Sequence, residues 1–381
     1  MKLQFSTLGD REPNQYFLYI NKQLISWDIY ETDSGNRGFV GYFRKVMQAV
    51  EENLQKGGFT FYITMTEMDE LPTYGDNVIV LILGDEFYRI PKYHNKVGAI
   101  FKCYGIHQIR QEVFKYRPIL KISRYKILVF GQSLKNLLIR LPLKLNYWLR
   151  KVKRLCFTTE DLAPIYDIPP GYFNSEDLPI KNVYSRRYDV FFDGSVVNHV
   201  YPVWSLRYWS KTPKAVSREQ MVSNLEQFKA KYPQYNIQLA CNAFFADASS
   251  EVGSNSYAQN MMDTKVCLVP RGTTLETYRF FEAMRYGCII ITELLPPRWF
   301  YDGAPVIQIA NWNNLELVLQ KLLNDEELMQ ILHQQTLEWW ENRCSETAIG
   351  KYIAERLNGI LVKRHFGQLQ PPKQGSPDKV A

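Results

Sequence analysis

Short apolar runs alternate with longer amphipathic stretches along most of this chain. In the first half, the pattern predicts a helix over residues 39–54 and strands over residues 24–30, 59–64, 78–83 and 97–104. In the second half, it predicts helices over residues 217–232, 313–342 and 345–357 and strands over residues 189–192, 237–240, 266–269, 288–292 and 305–309. Because strands and helices alternate in both halves, we expect an α/β protein built on parallel sheets.

Residues 265–292 have the pattern of a complete ligand-binding unit. An apolar run over residues 266–269 stops at Pro270, and the polar loop Arg271-Gly272-Thr273-Thr274 follows. Thr273 and Glu276 have the spacing of a capping box, which predicts a helix over residues 274–286 that Gly287 ends. A strand over residues 288–292 comes next. Ligands of such units bind where strand carboxyl ends meet helix N-termini.

The predicted ligand at this place is anionic. The first turn of the helix would present unpaired backbone N–H groups to a diphosphate, and Arg271, Thr273 and Thr274 would add donors. Thr274, Tyr278 and Glu282 follow at i, i+4 and i+8, so a carboxylate would lie on the stripe that begins beside the phosphates. A carboxylate can accept two sugar hydroxyls. The simpler interpretation is structural.

In that structural interpretation, Glu282 forms an ion pair with Arg279 or Arg285, each three residues away. The polar loop is then an ordinary connection. Spacing alone favours this interpretation, because structural ion pairs are common.

Composition is consistent with two domains of ordinary size. The chain has 381 residues, of which 46% are hydrophobic and 22% charged. Six scattered cysteines without a C-x-x-C pair predict reduced core residues, and the five histidines show no metal spacing. The first 20 residues lack the apolar core of a secretory signal, and no apolar stretch approaches membrane-spanning length. We therefore expect a cytoplasmic protein, free or peripheral on the cytoplasmic face of a membrane.

Positive charge is concentrated between Glu112 and Glu160. This stretch contains no acidic residue and twelve basic ones, whereas the whole chain has a net charge of +7. Leucines and aromatic residues are interspersed, which is the composition of an amphipathic interfacial segment, although Pro142 should interrupt any helix there. The composition of segment 113–155 therefore predicts that this segment adheres to an anionic membrane surface. A solvated basic linker is the alternative, and nucleic acid is not expected, because no recognition motif accompanies the charge.

Several motifs occur in one colinear order between residues 167 and 352. They are IPPGY (168–172), RYDVFFDGS (187–195), CLVPRG (267–272), TYRFFEAMRYGCIII (277–291), Pro297 and WNNL (312–315). This half of the chain resembles the exostosin-like glycosyltransferases of family 47. Two departures are the loss of the proline in the family's usual G-C-I-P-V, which here is Gly287-Cys288-Ile289-Ile290-Ile291, and an N-terminal half that matches no motif of the family.

The resemblance implies a GT-B fold, in which two Rossmann-like domains face each other across a cleft. It also implies a nucleotide-sugar donor held by the C-terminal domain, with Glu282 in the ribose-binding position. We expect residues 1–155 to form the acceptor-side domain, 156–343 the donor domain, 344–366 a helix that crosses back to the first domain, and 367–381 a disordered tail. The expected donor-binding residues are Arg218, Arg271, Gly272, Thr273, Thr274, Tyr278, Arg279 and Glu282.

The chemistry is predicted to be metal-independent and inverting. The chain has no D-x-D motif, so cationic side chains such as Arg271 and Arg218 would stabilise the departing diphosphate, with no metal and no other cofactor. Inversion needs a base near the acceptor hydroxyl. Asp85 and Glu86 follow the predicted strand over residues 78–83 and are the candidate base; Glu31 and Asp33 follow another strand in the same way. Each could instead be a turn former.

We therefore expect a glycosyltransferase that transfers a hexosyl or pentosyl group from a nucleotide-diphosphate sugar to a glycan or lipid-linked acceptor. Two alternatives remain open. One is a GT-B glycosyltransferase of another family with the same donor helix. The other is a non-catalytic protein of the same fold that binds sugar nucleotides or membranes.

Overall fold

A computed structural model describes most of the two predicted halves. The described residues are 11–20, 22–31, 38–66, 68, 70–86, 88–106, 127–131, 134, 138, 141–142, 145–149, 152, 163–174, 176–196, 205, 211–242 and 251–368. The predicted tail beyond residue 368, Asp33 and the larger part of segment 113–155 lie outside this set.

The first sheet has six strands in the order β2-β1-β3-β4-β5-β6. They are β1 (Gln15–Ile20), β2 (Gln23–Ser26), β3 (Thr60–Thr64), β4 (Gly75–Ile82), β5 (Val97–Lys102) and β6 (Ile165–Asp167). All neighbours are parallel except the β1–β2 hairpin. Every residue of β5 is buried, which explains why residues 97–101 form a continuous apolar run rather than an alternating one. β1 and β6 were not predicted, and β2 is shorter than expected.

The second sheet has five parallel strands in the order β11-β10-β9-β7-β8. They are β7 (Tyr188–Ser195), β8 (Ile237–Asn242), β9 (Thr264–Val269), β10 (Ile289–Glu293) and β11 (Ile307–Ile309). The helices of this half are α2 (Pro213–Lys231), α3 (Glu251–Met262), α4 (Tyr278–Arg285), α5 (Leu315–Leu323) and α6 (Glu326–Trp339). Gly287 has a φ of 67° directly after α4, so the predicted left-handed end of this helix is confirmed.

The C-terminal helix returns to the first half of the chain. A π-helical turn (Trp340–Cys344) joins α6 to α7 (Glu346–Gln368), which packs against α1 (Phe39–Asn53). The Tyr42 hydroxyl of α1 donates to the carbonyl of Cys344 at 2.7 Å. A side chain at Gly350 would clash with Ala49, so glycine permits the close approach of α7 to α1. Two parallel α/β units joined by a returning helix confirm the predicted GT-B fold class.

The boundary predicted at residue 155 is too early. β6 pairs in parallel with β5, so the first sheet extends to Asp167. A three-residue strand has no periodicity of its own, and its place in the sheet depends on pairing with residues more than 60 positions earlier. Within the described ranges, no helix combines the length and apolar composition needed to cross a bilayer.

Candidate functional site

The carboxyl edges of the two sheets meet at a cleft between the domains. Glu86, which follows β4, forms a side-chain hydrogen bond with Thr273, which follows β9. Tyr104, which follows β5, forms a side-chain hydrogen bond with Tyr278 at the start of α4. Since strand carboxyl ends present functional groups in parallel α/β sheets, this cleft is the candidate site.

The loop after β9 does not form the predicted helix start. α4 begins at Tyr278, not Thr274. The Thr274 hydroxyl accepts from the backbone N–H of Glu276 at 3.3 Å and donates to its carbonyl at 3.1 Å. The Glu276 carboxylate instead pairs with Arg298 at 2.9 Å. The predicted capping box is therefore wrong, because the buried guanidinium of Arg298 takes the carboxylate that would have capped Thr273. Thr274 does not share a helical stripe with Tyr278 and Glu282.

Three cations of the second domain lie close to one another on the side that faces Glu86. We call Lys214, Arg218 and Arg279 the cationic cluster. Lys214 and Arg218 lie in the first turns of α2, whose N-terminus is capped by the Thr212 hydroxyl accepting from Ala215 N–H at 3.3 Å. Arg218 donates to the Ser195 carbonyl at 2.8 Å and to the Arg271 carbonyl at 3.2 Å.

Repulsion between the positive charges of the cationic cluster favours binding of an anion. Burial, and then the neighbouring charge of Arg279, lower the pKa of Arg218 to about 9. Burial, and then the charges of Arg218 and Arg279, also lower the pKa of Lys214, against an opposing attraction from Glu86. Like charges destabilise one another when they are partly removed from water. A dianionic group among them would relieve this repulsion, which is what a diphosphate supplies.

Arg279 is held in place by its own neighbours. It donates to the Tyr257 hydroxyl at 3.3 Å and to the backbone carbonyl of Asp193, and it lies 4.7 Å from the Phe192 ring centroid. A Cβ atom at Gly194 would lie 2.5 Å from an Arg279 guanidinium nitrogen. The glycine of the F-F-D-G-S strand therefore makes room for this arginine.

A buried carboxylate, Glu293, connects the parts around the cluster. It ends β10 and is 4% exposed. One of its oxygens accepts from the backbone N–H of Arg271 at 3.4 Å, from the Trp312 indole at 3.1 Å and from the Ser217 hydroxyl. Arg271 itself is buried, and its guanidinium donates to the Thr273 carbonyl at 3.2 Å. Glu293 therefore fixes the loop after β9 to the N-terminal part of α2.

Glu282 is buried at the junction of the domains. One carboxylate oxygen accepts from the backbone N–H groups of Phe173 and Asn174 at 3.1 and 3.0 Å, and the other accepts from the Tyr257 hydroxyl at 3.1 Å. Burial raises the pKa of Glu282, and the hydrogen bonds oppose that rise. Arg285 pairs with Asp177 at 3.0 Å instead. Glu282 thus holds the segment after I-P-P-G-Y to α4, and a ribose would have to share its carboxylate with these donors.

The two candidate bases have different surroundings. Asp85 is buried and pairs at 2.9 Å with Lys102, whose side chain is fully buried. It also accepts from the backbone N–H of Arg89 at 2.8 Å. Glu86 is half-buried in the cleft, and burial raises its pKa while Thr273 and Lys214 oppose that rise. Of the two acids, Glu86 is the one beside the cationic cluster.

Other predicted residues contribute less to the cleft. Asp33 lies outside the described residues, and Glu31 is exposed. Four of the five described cysteines are buried and free, as predicted, whereas Cys241 is exposed. Among the residues that the structure describes, no group of three or more His, Cys, Asp or Glu side chains could hold a metal ion.

Sequence reasoning missed Lys214, Glu293 and Arg298. Lys214 could have been found, since it lies one helical turn before Arg218 and directly after Pro213, a residue type that favours the first position of a helix; the predicted helix started only at residue 217. Glu293 directly follows the predicted strand over residues 288–292, as Asp85 follows the one over residues 78–83. Nothing local marks Arg298, whose partners Glu276 and Asp167 are distant in sequence.

A separate cavity of about 600 Å³ lies in the first domain. Its lining includes Gln15 and Phe17 of β1, Ser26 of β2 and Glu51 near the end of α1. β1 begins at Gln15 and runs parallel to β3, so this cavity lies at the amino edge of the sheet. It is at the opposite edge from the cleft.

Comparisons with known proteins give structural likeness without sequence likeness. No family model and no curated protein matches the chain. WaaG, a glycosyltransferase involved in lipopolysaccharide biosynthesis, is 11% identical over 85% of this chain and 96% of that chain, with a TM-score of 0.39. An alpha-glucosyltransferase in complex with UDP-glucose and DNA is 11% identical over 84% and 96%, with a TM-score of 0.34. A chain of the GtfA/B complex is 10% identical over 76% of this chain and 58% of that chain, with a TM-score of 0.35. At such identities and TM-scores, these likenesses identify neither a substrate nor a mechanism for this chain.

Proposed function

We propose that this protein is a glycosyltransferase that transfers a sugar from a nucleoside-diphosphate sugar to a glycan or lipid-linked acceptor. The observation that carries the proposal is the cationic cluster, which faces Glu86 across the cleft between two parallel α/β domains. The cluster supplies positive charge where the leaving diphosphate would develop negative charge. Glu86 supplies a carboxylate on the opposite domain, where an acceptor would enter.

The proposed donor site lies in the second domain. Lys214, Arg218 and Arg279 receive the diphosphate, and the partly exposed loop at Gly272 and Thr273 adds backbone and hydroxyl donors. Arg271 shapes this loop through its bond to the Thr273 carbonyl. Charge-assisted hydrogen bonds of this kind stabilise a departing diphosphate as its charge grows. We propose a metal-independent reaction because these three cations can supply that stabilisation.

The proposed base is Glu86. A base must be ionised to accept the proton of the acceptor hydroxyl, and a raised pKa brings a carboxylate closer to the optimum for proton transfer near neutral pH. The hydroxyl oxygen then attacks the anomeric carbon as the bond to the diphosphate breaks, which inverts the configuration. Asp85 is better suited to holding Lys102 and the loop that carries Glu86.

Two finer assignments belong to the same proposal. Membership of glycosyltransferase family 47 rests on the colinear motifs between residues 167 and 352. The ribose is assigned to the neighbourhood of Glu282, which is the one carboxylate on α4. Within this proposal, Tyr278 contributes through its hydrogen bond to Tyr104, which links the donor helix to the acceptor-side domain.

Transfer assays would test this function. The protein is incubated with UDP-, GDP-, ADP- and TDP-sugars, with and without oligosaccharide acceptors, and release of nucleoside diphosphate is measured. We expect release from one donor class, and we expect Glu86→Gln to abolish release while retaining diphosphate binding, since the proposed base does not itself contact the donor. Diphosphate binding without release from any sugar nucleotide would favour the non-catalytic alternative. Release that is unchanged in Glu86→Gln would remove Glu86 as the base.

A further inference from the structure

The helical residues between 127 and 152 expose an unusual number of large apolar side chains. Nine are between 42% and 61% exposed: Ile127, Phe130, Leu134, Leu138, Leu141, Leu145, Trp148, Leu149 and Val152. Leu141 and Pro142 are helical, and residues 143–144 lie outside the described set, so the interruption expected at Pro142 stays a prediction. Contiguous exposed apolar surface of this kind marks an interaction site rather than an ordinary solvated face.

The sequence spacing of the nine positions is that of one helix face. On an ideal helix of 3.6 residues per turn, they would fall within a stripe about 100° wide, and Val129 and Tyr147 would fall on the opposite side. Val129 is 3% exposed, and the Tyr147 ring lies 5.3 Å from the ring of His94 in the first domain. Tyr147 therefore contacts the first domain, whereas the nine apolar side chains are exposed.

Charge identifies the partner of this stripe. Residues 113–159 contain twelve basic and no acidic residues, and eight of the basic ones lie between Lys126 and Arg154. A protein partner or a second copy of this chain would cover an apolar stripe, but a second copy would bring together two strongly positive segments. An anionic lipid leaflet accepts both features, since its acyl region takes the apolar side chains and its headgroups attract the cations.

We propose that the described helical residues between 127 and 152 lie in the headgroup region of anionic membranes, with the nine exposed apolar side chains, which we call the apolar stripe, directed into the acyl boundary. This surface is independent of the proposed catalytic cleft. Membrane binding by the apolar stripe differs from purely electrostatic adhesion in one measurable respect. Because apolar burial contributes, binding persists in part at salt concentrations that screen surface charge.

Vesicle sedimentation tests the proposal. Phosphatidylcholine vesicles with and without phosphatidylserine are mixed with the full chain, with Leu138→Gln/Leu145→Gln, and with the control Leu317→Gln. Leu317 is 71% exposed on α5 of the second domain, so it matches the substitution without touching the stripe. We expect binding to the anionic vesicles, a loss of roughly tenfold or more in the double variant, and no change in the control.

Three results would overturn the proposal. One is absence of binding to anionic vesicles. Another is equal binding by the full chain and the double variant, which would leave charge alone as the cause. A third is that the full chain does not bind vesicles but self-associates with increasing concentration, and that the double variant abolishes this self-association. The partner of the apolar stripe would then be a second copy of the chain. Circular dichroism and nucleoside-diphosphate binding confirm that each variant is folded.

Discussion

Substitution of Glu282 distinguishes most clearly between a structural role and a ligand-binding role for this residue. Replacing it with alanine removes the acceptor of three hydrogen bonds, from Phe173 N–H, Asn174 N–H and the Tyr257 hydroxyl. Hydrogen bonds to a charged group contribute about 1.5–3 kcal/mol each, and buried donors left without an acceptor add a desolvation cost. Relief of the burial cost of the carboxylate offsets part of this loss. We therefore expect Glu282→Ala to lower the free energy of unfolding by about 3–5 kcal/mol.

Glu282→Gln should cost less, about 1–2 kcal/mol, because the amide oxygen still accepts from the two backbone N–H groups. Urea denaturation measures both values, and the exposed Glu355 of α7 provides the control Glu355→Ala, expected to change stability by less than about 0.5 kcal/mol. Calorimetry on the folded variants gives nucleoside-diphosphate affinity in parallel. An unchanged unfolding free energy in Glu282→Ala, together with a large loss of nucleotide affinity, would refute the structural reasoning and leave ribose binding as the role of this carboxylate.

Three further outcomes are expected. Burial raises the pKa of Glu86, so kcat/KM should fall as pH drops through that raised value, and Glu86→Gln should remove this acidic limb; an identical pH profile in the variant would contradict the assignment. Arg271→Ala should weaken binding of a nucleoside diphosphate by about 1–2 kcal/mol and binding of the free nucleoside less, as calorimetry would show; equal losses would argue against a diphosphate beside this loop. Gly194→Ala should displace Arg279 and weaken diphosphate binding roughly tenfold, whereas Gly359→Ala, where an added Cβ meets no atom within 4 Å, should have no effect on binding.

The fold was predictable where local pattern and burial agree. Residues 78–82 of β4 and 97–101 of β5 form continuous apolar runs because they are buried, and this pattern identified the two strands. Gly287 marks the end of α4 because only a residue without a side chain adopts its φ of 67° at no steric cost, and an added Cβ would also approach His333. The alternation of such strands with helices was sufficient to predict two sheets of mainly parallel strands.

The candidate site was only partly predictable, because long-range partners decide its details. Thr273 and Glu276 have capping-box spacing, but Arg298 binds Glu276 from 22 residues away. In the structural interpretation, Glu282 would pair with Arg279 or Arg285, whereas it accepts hydrogen bonds from the backbone N–H groups of a segment more than 100 residues earlier. Local spacing carries no information on such contacts. It did place Arg218 and Glu86 at the ends of elements that meet in the cleft.

The central claim is that the cationic cluster binds the diphosphate of a sugar nucleotide. Titration calorimetry with UDP, GDP, ADP and TDP, each compared with its nucleoside, tests it most directly. Two variants of α2 are compared: Arg218→Gln within the cluster and Lys229→Gln near the exposed end of the same helix. The account predicts that one diphosphate binds more tightly than its nucleoside, and that Arg218→Gln weakens the diphosphate by about 1.5–3 kcal/mol while Lys229→Gln does not. Equal affinity of the two α2 variants for that diphosphate, or no preference for any diphosphate over its nucleoside, would contradict it.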